Sequence, residues 1–201
     1  MLTNRFQDAL LFATQLHANQ KRKGSATPYI AHLLGVTALV LEAGGDEDQA
    51  ITALLHDAVE DQGGMQTLEV IRSRFGERVA RIVEGCTDAY QTPKPPWKKR
   101  KKEYIQHLGS MPADVRLVSL ADKLHNARAI LADLRSQGGQ TWNKFNGGKD
   151  GTLWYYCTLR DIFLAYGDGP LADELKRVVD EICCLAEDET GVKGSANGCS
   201  V

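Results

Sequence analysis

Two histidines and two aspartates form a set that could hold a divalent cation: His32, His56, Asp57 and Asp122. His56 and Asp57 stand in ALLHDAVED, residues 53–61, where an apolar face runs straight into His56, Asp57, Glu60 and Asp61. On a continuous helix at about 100° per residue, these four side chains fall within an arc of about 140°. Four ionisable groups at one end of an apolar helix are costly unless something compensates them, and a divalent cation would. Adjacent His and Asp diverge by one helical step, so they can approach one ion from two sides. Imidazole together with carboxylate suits Mn, Fe or Zn better than Ca. His32 lies upstream in PYIAH, and Asp122 interrupts the apolar run of LVSLADKLHN, where a carboxylate needs a partner. Taken singly, His32 reads as a capped or core histidine and Asp122 as half of an ion pair with Lys123 or Arg128. In the order H…HD…D, each behind an apolar stretch, they point to one site. Two histidines and two aspartates leave coordination positions open, which marks a catalytic rather than a structural centre.

Helices must position these groups. Phe6, Leu10, Ala13 and His17 repeat at helical spacing, with His17 read as a packed or cleft-edge histidine. A basic loop, KRKGSATP, follows over residues 21–28. Helix is expected over residues 29–42, stopped by Gly44 and Gly45, then over 48–61 with Asp46 as its cap, stopped by Gly63 and Gly64. Further helices are expected at 67–75, 77–86, 98–108, 113–134, 153–166 and 171–187. The proline-rich stretch 92–96 reads as a loop, the polar, glycine-rich stretch 138–151 as core packing or a lid at a pocket edge, and residues 188–201 as a disordered tail. With no period-two alternation, the fold class is all-α: a single domain of about eight to ten helices over residues 1–187.

The net charge of −2 gives no global reason to expect nucleic acid as a partner. No apolar run reaches the roughly 18 residues needed to span a membrane, and residues 1–17 lack a signal-peptide core. The five cysteines are odd in number and show no C-x-x-C pair, so inert thiols in a reducing compartment are expected. The protein reads as cytoplasmic, acting on a small molecule, with homo-oligomerisation left open. The basic run KPPWKKRKK, residues 94–102, is either a solvated face or a source of cations for a polyanionic ligand.

HANQKRKGSATPYIAH, ALLHDAVED and LADKLHNAR, in that order, resemble the HD superfamily of metal-dependent phosphohydrolases. Within it they resemble the hydrolase domain of RelA/SpoT homologues, here in the form of a stand-alone small alarmone hydrolase. The resemblance covers residues 5–166 and leaves no room for a synthetase domain. It implies a guanosine-3′,5′-bis(diphosphate) 3′-pyrophosphohydrolase-like enzyme of the stringent response, which releases pyrophosphate from (p)ppGpp. It also implies one Mn²⁺ on His32, His56, Asp57 and Asp122, with Glu60 and Asp61 assisting the attacking water. Arg22, Lys23 and Asn126 then contact the nucleoside and its phosphates, and Arg100 and Lys101 the distal phosphates.

Two local departures concern the base. KRKGSATPY replaces the usual RKSGEPY, and Ala129 stands where many such enzymes carry Thr. FNGGKDGTLWYY is also unlike the bifunctional enzymes. Alternative readings are the adenosine analogue (p)ppApp or the 2′-phosphate of NADPH as substrate, or a degenerate HD module that binds nucleotide without turnover.

Overall fold

A computed structural model describes residues 1–87 and 94–188. Among these residues there are ten α-helices and no strand. They are α1 (Asn4–Leu16), α2 (Ile30–Glu42), α3 (Glu47–Leu55), α4 (Ala58–Asp61), α5 (Gly64–Phe75), α6 (Glu77–Cys86), α7 (Trp97–Leu108), α8 (Ala113–Gln137), α9 (Gly148–Tyr166) and α10 (Gly169–Asp188). The all-α expectation holds. Residues 189–201, read as a tail, and 92–93 of the proline-rich loop lie outside the described residues. None of the described helices is long and apolar enough to cross a membrane. Cys86, Cys157 and Cys183 are free thiols.

α3 is the hub. Asp46 caps it by accepting from the Gln49 N–H at 3.0 Å, while Gln49 Oε1 accepts from the Asp46 N–H at 2.9 Å. Every residue from Ala50 to Leu55 is buried. Ile51, Leu54 and Leu55 pack with Ala9 and Ala13 of α1, Leu33 of α2, and Leu68, Ile71 and Val83 of α5 and α6. Ala53 belongs to a second apolar cluster built on Val118, Leu120 and Leu124 of α8, with Leu159 and Phe163 of α9 and Leu175 and Ile182 of α10. α2 carries residues of both clusters. The helices that carry His32, His56 and Asp122 are therefore locked together by apolar burial on either side of the polar groups.

Two elements differ from the sequence expectation. The helix expected over 48–61 is broken: α3 ends at Leu55, and α4 restarts at Ala58 after Asp57 adopts φ −95° and ψ −3°. The continuous arc of about 140° drawn above therefore does not apply. Instead His56 closes α3 as its C-cap and Asp57 opens α4 as its N-cap. The helix expected over 153–166 starts earlier: Gly138–Lys144 forms a 3₁₀ turn, and α9 begins at Gly148.

Candidate active site

His32 stands in the first turn of α2, His56 and Asp57 at the α3–α4 break, and Asp122 in the middle of α8. Both imidazoles and Asp122 are buried. His56 Nε2 lies 3.0 Å from Asp57 Oδ2 and 3.6 Å from Asp122 Oδ1. His32 Nε2 lies 3.2 Å from Asp122 Oδ1 and 3.6 Å from Asp57 Oδ2. Despite these short separations, neither Nε2 is aligned for a hydrogen bond. The two nitrogens and the two carboxylates are thus gathered into one cluster. One ligand atom each from His32, His56 and Asp57 lies within 4.8 Å of the others. Two orphaned, buried imidazole nitrogens facing two carboxylates fit a first-row divalent cation.

The surroundings fix each group. His56 Nδ1–H donates to the Ala53 carbonyl at 2.9 Å, which leaves the Nε2 lone pair for the centre. His32 Nδ1 lies 2.9 Å from His125 Nδ1. The Tyr29 hydroxyl donates to Asp57 Oδ2 at 2.6 Å. Lys123 donates to Asp122 Oδ2 at 2.6 Å, and the Asn126 amide donates to Asp122 Oδ1 at 2.5 Å. Burial opposes ionisation of Asp122, but the Lys123 ammonium and the two histidines hold its carboxyl well below the usual range. Burial likewise opposes ionisation of Asp57, and His56 outweighs it. Burial pulls His56 down, but Asp57 and Asp122 together push it well above an ordinary histidine. Burial and the positively charged neighbourhood pull His125 down to about 4.

Glu60 and Asp61 follow on α4. Lys94 bridges them, at 2.7 Å from Glu60 Oε1 and 3.2 Å from Asp61 Oδ1. Gln20 donates to Asp61 Oδ2 at 2.8 Å and also meets His17 Nδ1 at 2.7 Å, while His17 stacks on Tyr29. His17 is thus packed behind the cluster, as its place on the α1 stripe suggested. A pocket of about 360 Å³ opens beside this assembly, lined by Arg22, Lys23, Tyr29, Asp61, Asn126 and Tyr156, among others. Arg22 donates to Asn126 Oδ1 at 2.7 Å. Its loop is pinned by the Arg22 N–H to the Thr27 carbonyl and by the Tyr29 N–H to the Gln20 carbonyl, each at 2.9 Å.

Arg100 and Lys101 part company. Neither lines this pocket: the Arg100 guanidinium comes within 3.7 Å of Glu60, whereas the Lys101 ammonium lies over the Tyr155 ring, 5.2 Å from its centroid. α7 turns adjacent residues to different sides, so the pair cannot act as one patch. Sequence reasoning missed Gln20, Tyr29, Lys94, Lys123 and His125. Tyr29, Lys123 and His125 sit inside the motifs already quoted, so their proximity was the available signal. Lys94 offered none beyond membership of the basic run.

Comparison with known proteins agrees with this geometry. The HD domain family profile matches residues 9–153. A Xenopus tropicalis protein named guanosine-3′,5′-bis(diphosphate) 3′-pyrophosphohydrolase MESH1 is 39% identical over 140 residues, covering 68% of this chain and 73% of that one. The Danio rerio protein of the same name is 41% identical over 122 residues, 59% of this chain and 65% of that one. An Aquifex aeolicus guanosine-3′,5′-bis(diphosphate) 3′-pyrophosphohydrolase is 40% identical over 127 residues, which span 62% of this chain but only 17% of that longer protein. Among solved structures, one described as a metazoan ortholog of SpoT that hydrolyzes ppGpp superimposes with a TM-score of 0.75 at 27% identity, covering 90% of this chain and 97% of that one. Sequence match, helical topology and the clustered histidines and aspartates agree: the chain belongs to the HD domain family.

Proposed function

We propose that this protein hydrolyses the 3′-diphosphate of (p)ppGpp-type nucleotides and releases pyrophosphate. The observation that carries the reading is the convergence of His32, His56, Asp57 and Asp122 beside the Glu60–Asp61 pair, at the mouth of a pocket edged by Arg22 and Lys23. The relatives named for this activity, 39–41% identical, support it. His32, His56, Asp57 and Asp122 would hold a divalent ion, Mn²⁺ in our reading, which when bound polarises a phosphoryl oxygen and makes water more acidic.

The chain's own groups do the rest. Glu60 takes a proton from the attacking water, a general-base role. Asp61, clamped by Gln20 and Lys94, orients that water. The water oxygen bonds to the phosphorus attached to the ribose 3′-oxygen, the bond from that phosphorus to the 3′-oxygen breaks, and pyrophosphate leaves. The 3′-oxygen recovers the proton, and the 5′-di- or triphosphate remains. The substrate is a polyanion and the site already holds four carboxylates, so cations must offset both. Arg22 and Lys23 serve the nucleoside side, and Lys94 and Arg100 the side of Glu60 and Asp61. Lys94 is suited to this: burial lowers its proton affinity, but Glu60 and Asp61 raise it above the ordinary lysine value, so it stays charged. Lys101, with its ammonium over Tyr155, is given no phosphate contact. The protein acts as a cytoplasmic enzyme on a small nucleotide.

Protein stripped and reloaded with Mn²⁺ is incubated with ppGpp, and the products are separated by ion-exchange chromatography. Intact pyrophosphate and GDP are expected. Orthophosphate as the primary product, or full turnover by protein verified to be metal-free, overturns the reading.

A further inference from the structure

The pocket has a far end that the reaction at the phosphates does not use. Asp122, Asn126, Ala129, Ile130 and Asp133 recur at helical spacing and share one face of α8. At about 1.5 Å per residue, that face extends about 16 Å from the Asp122 backbone to the Asp133 backbone. This is room for a nucleoside whose ribose phosphates lie at the metal cluster and whose base lies at Asp133. There Lys144 Nζ donates to Asp133 Oδ2 at 3.0 Å, and both side chains line the pocket. Ile130, Phe145 and Tyr156 supply its apolar walls.

The pair is held in place rather than left in solvent. The lysine side chain is 19% exposed and the aspartate 35%. The stem of Lys144 lies against Gly24, where a Cβ would come within 3.0 Å of Lys144 Cδ. Gly24 also has φ +74°, which an L side chain rarely adopts, so the loop tip can press on the stem only as glycine. Lys23 Nζ reaches Asn146 Oδ1 at 3.2 Å and ties the same two segments across the pocket.

We infer that Asp133 and Lys144 read the Watson–Crick edge of a guanine base; the inference rests on the nucleoside 3′-diphosphate reading above. Guanine presents the N1–H and N2–H donors beside the O6 acceptor. A carboxylate is an acceptor-only group with two oxygens and receives both donors, while an ammonium donates to O6. Without substrate Lys144 donates to Asp133 Oδ2, and the Gln137 amide reaches Asp133 Oδ1 at 3.5 Å. Adenine offers the carboxylate one donor, at N6, and offers the lysine N1, so one carboxylate oxygen is left unpaired. A site built to hydrogen-bond a group discriminates against analogues that lack it, because its own polar atoms are stranded. The pair thus supplies base selectivity at a position where Ala129 has no polar group to offer.

The test compares kcat/KM for the 3′-diphosphate, 5′-diphosphate forms of guanosine, inosine and adenosine, with Mn²⁺ present. Inosine lacks only the 2-amino group of guanosine. A hydrogen bond to a charged group is worth about tenfold to hundredfold, so the native protein is expected to favour guanosine over inosine by that factor, and adenosine to trail as well. Asp133→Ala should bring the guanosine-to-inosine ratio to within about threefold, with Asp133→Asn between. Lys144→Met should slow guanosine and inosine alike, because both carry O6, and leave their ratio near the native value. Asp133→Asn, which keeps size and one acceptor, supplies the reading if Asp133→Ala does not fold. An unchanged ratio in the Asp133 variants, equal native rates on guanosine and inosine, or a native preference for adenosine overturns the inference while leaving the hydrolase reading intact. Absence of turnover on all three nucleotides by metal-loaded protein overturns both.

Discussion

Gly35→Ala should weaken metal binding although no atom of Gly35 faces the metal cluster. Gly35 lies on α2, and a Cβ there would overlap the His125 ring at both Cδ2 and Nε2. The ring must retreat by about an ångström to regain ordinary carbon contact near 3.5 Å. It currently holds His32 through an Nδ1···Nδ1 contact of 2.9 Å. His32 offers its Nε2 lone pair to the cluster, so its proton sits on Nδ1 and is donated to His125. Retreat of His125 stretches that bond past the range in which it counts as one. A buried donor left unsatisfied costs about 1–3 kcal/mol, and loss of a partner behind a metal-ligating histidine typically weakens metal affinity about tenfold to hundredfold. The two figures agree. Helix propensity alone favours Ala over Gly by about 1 kcal/mol, so the overlap with His125 decides the sign. The assay is competition for Mn²⁺ against a chelator of known affinity, alongside thermal melting of the metal-free protein. Gly35→Ala paired with His125→Ala should relieve the overlap and restore the melting temperature, yet keep the weak affinity. Native metal affinity in both Gly35→Ala and His125→Ala would refute the reasoning.

Two further outcomes follow from the site. Glu60→Gln keeps size and an acceptor but cannot take a proton, so turnover should fall about 10²–10⁴-fold while metal content and substrate affinity hold; a parallel loss of metal would make Glu60 a ligand instead. The second concerns pH. Asp57 and Asp122 raise His56 above its unfolded value, so this ion pair stabilises the metal-free protein fully below about pH 6.5 and the stabilisation fades as pH rises through the raised native value. Metal binding needs the neutral imidazole and strengthens in the same direction. The gap in melting temperature between Mn²⁺-loaded and stripped protein should therefore widen from about pH 6 to about pH 9, and a constant gap across that range would exclude His56 as a ligand.

What could be read from the sequence divides along a physical line. Apolar periodicity reports which face of a segment is buried, and it placed α2, α5, α6 and α8 near their observed bounds. It cannot report a break that needs neither glycine nor proline. The α3–α4 interruption falls at His56 and Asp57, and neither is a glycine or a proline. Glycine misled in the other direction. Gly147 and Gly151 look like loop residues, yet α9 starts at Gly148 and takes Gly151 into its first turn. They are small because Trp97 lies on them: a Cβ at Gly147 would come within 2.7 Å of its ring, and one at Gly151 within 3.2 Å.

That contact also bears on the part of the site that pattern reading could not reach. Trp97 opens α7, and Lys94 precedes it by three residues. Seating the indole against the start of α9 fixes where the chain enters α7. It thereby sets the approach of Lys94 to Glu60 and Asp61, more than thirty residues away in sequence. The metal-binding residues were visible because each sits in a short motif with its own unfavourable burial to explain. Lys94 was not, because the basic run holds several lysines of equal local character, and its approach to Glu60 and Asp61 is a tertiary contact that the run itself does not encode.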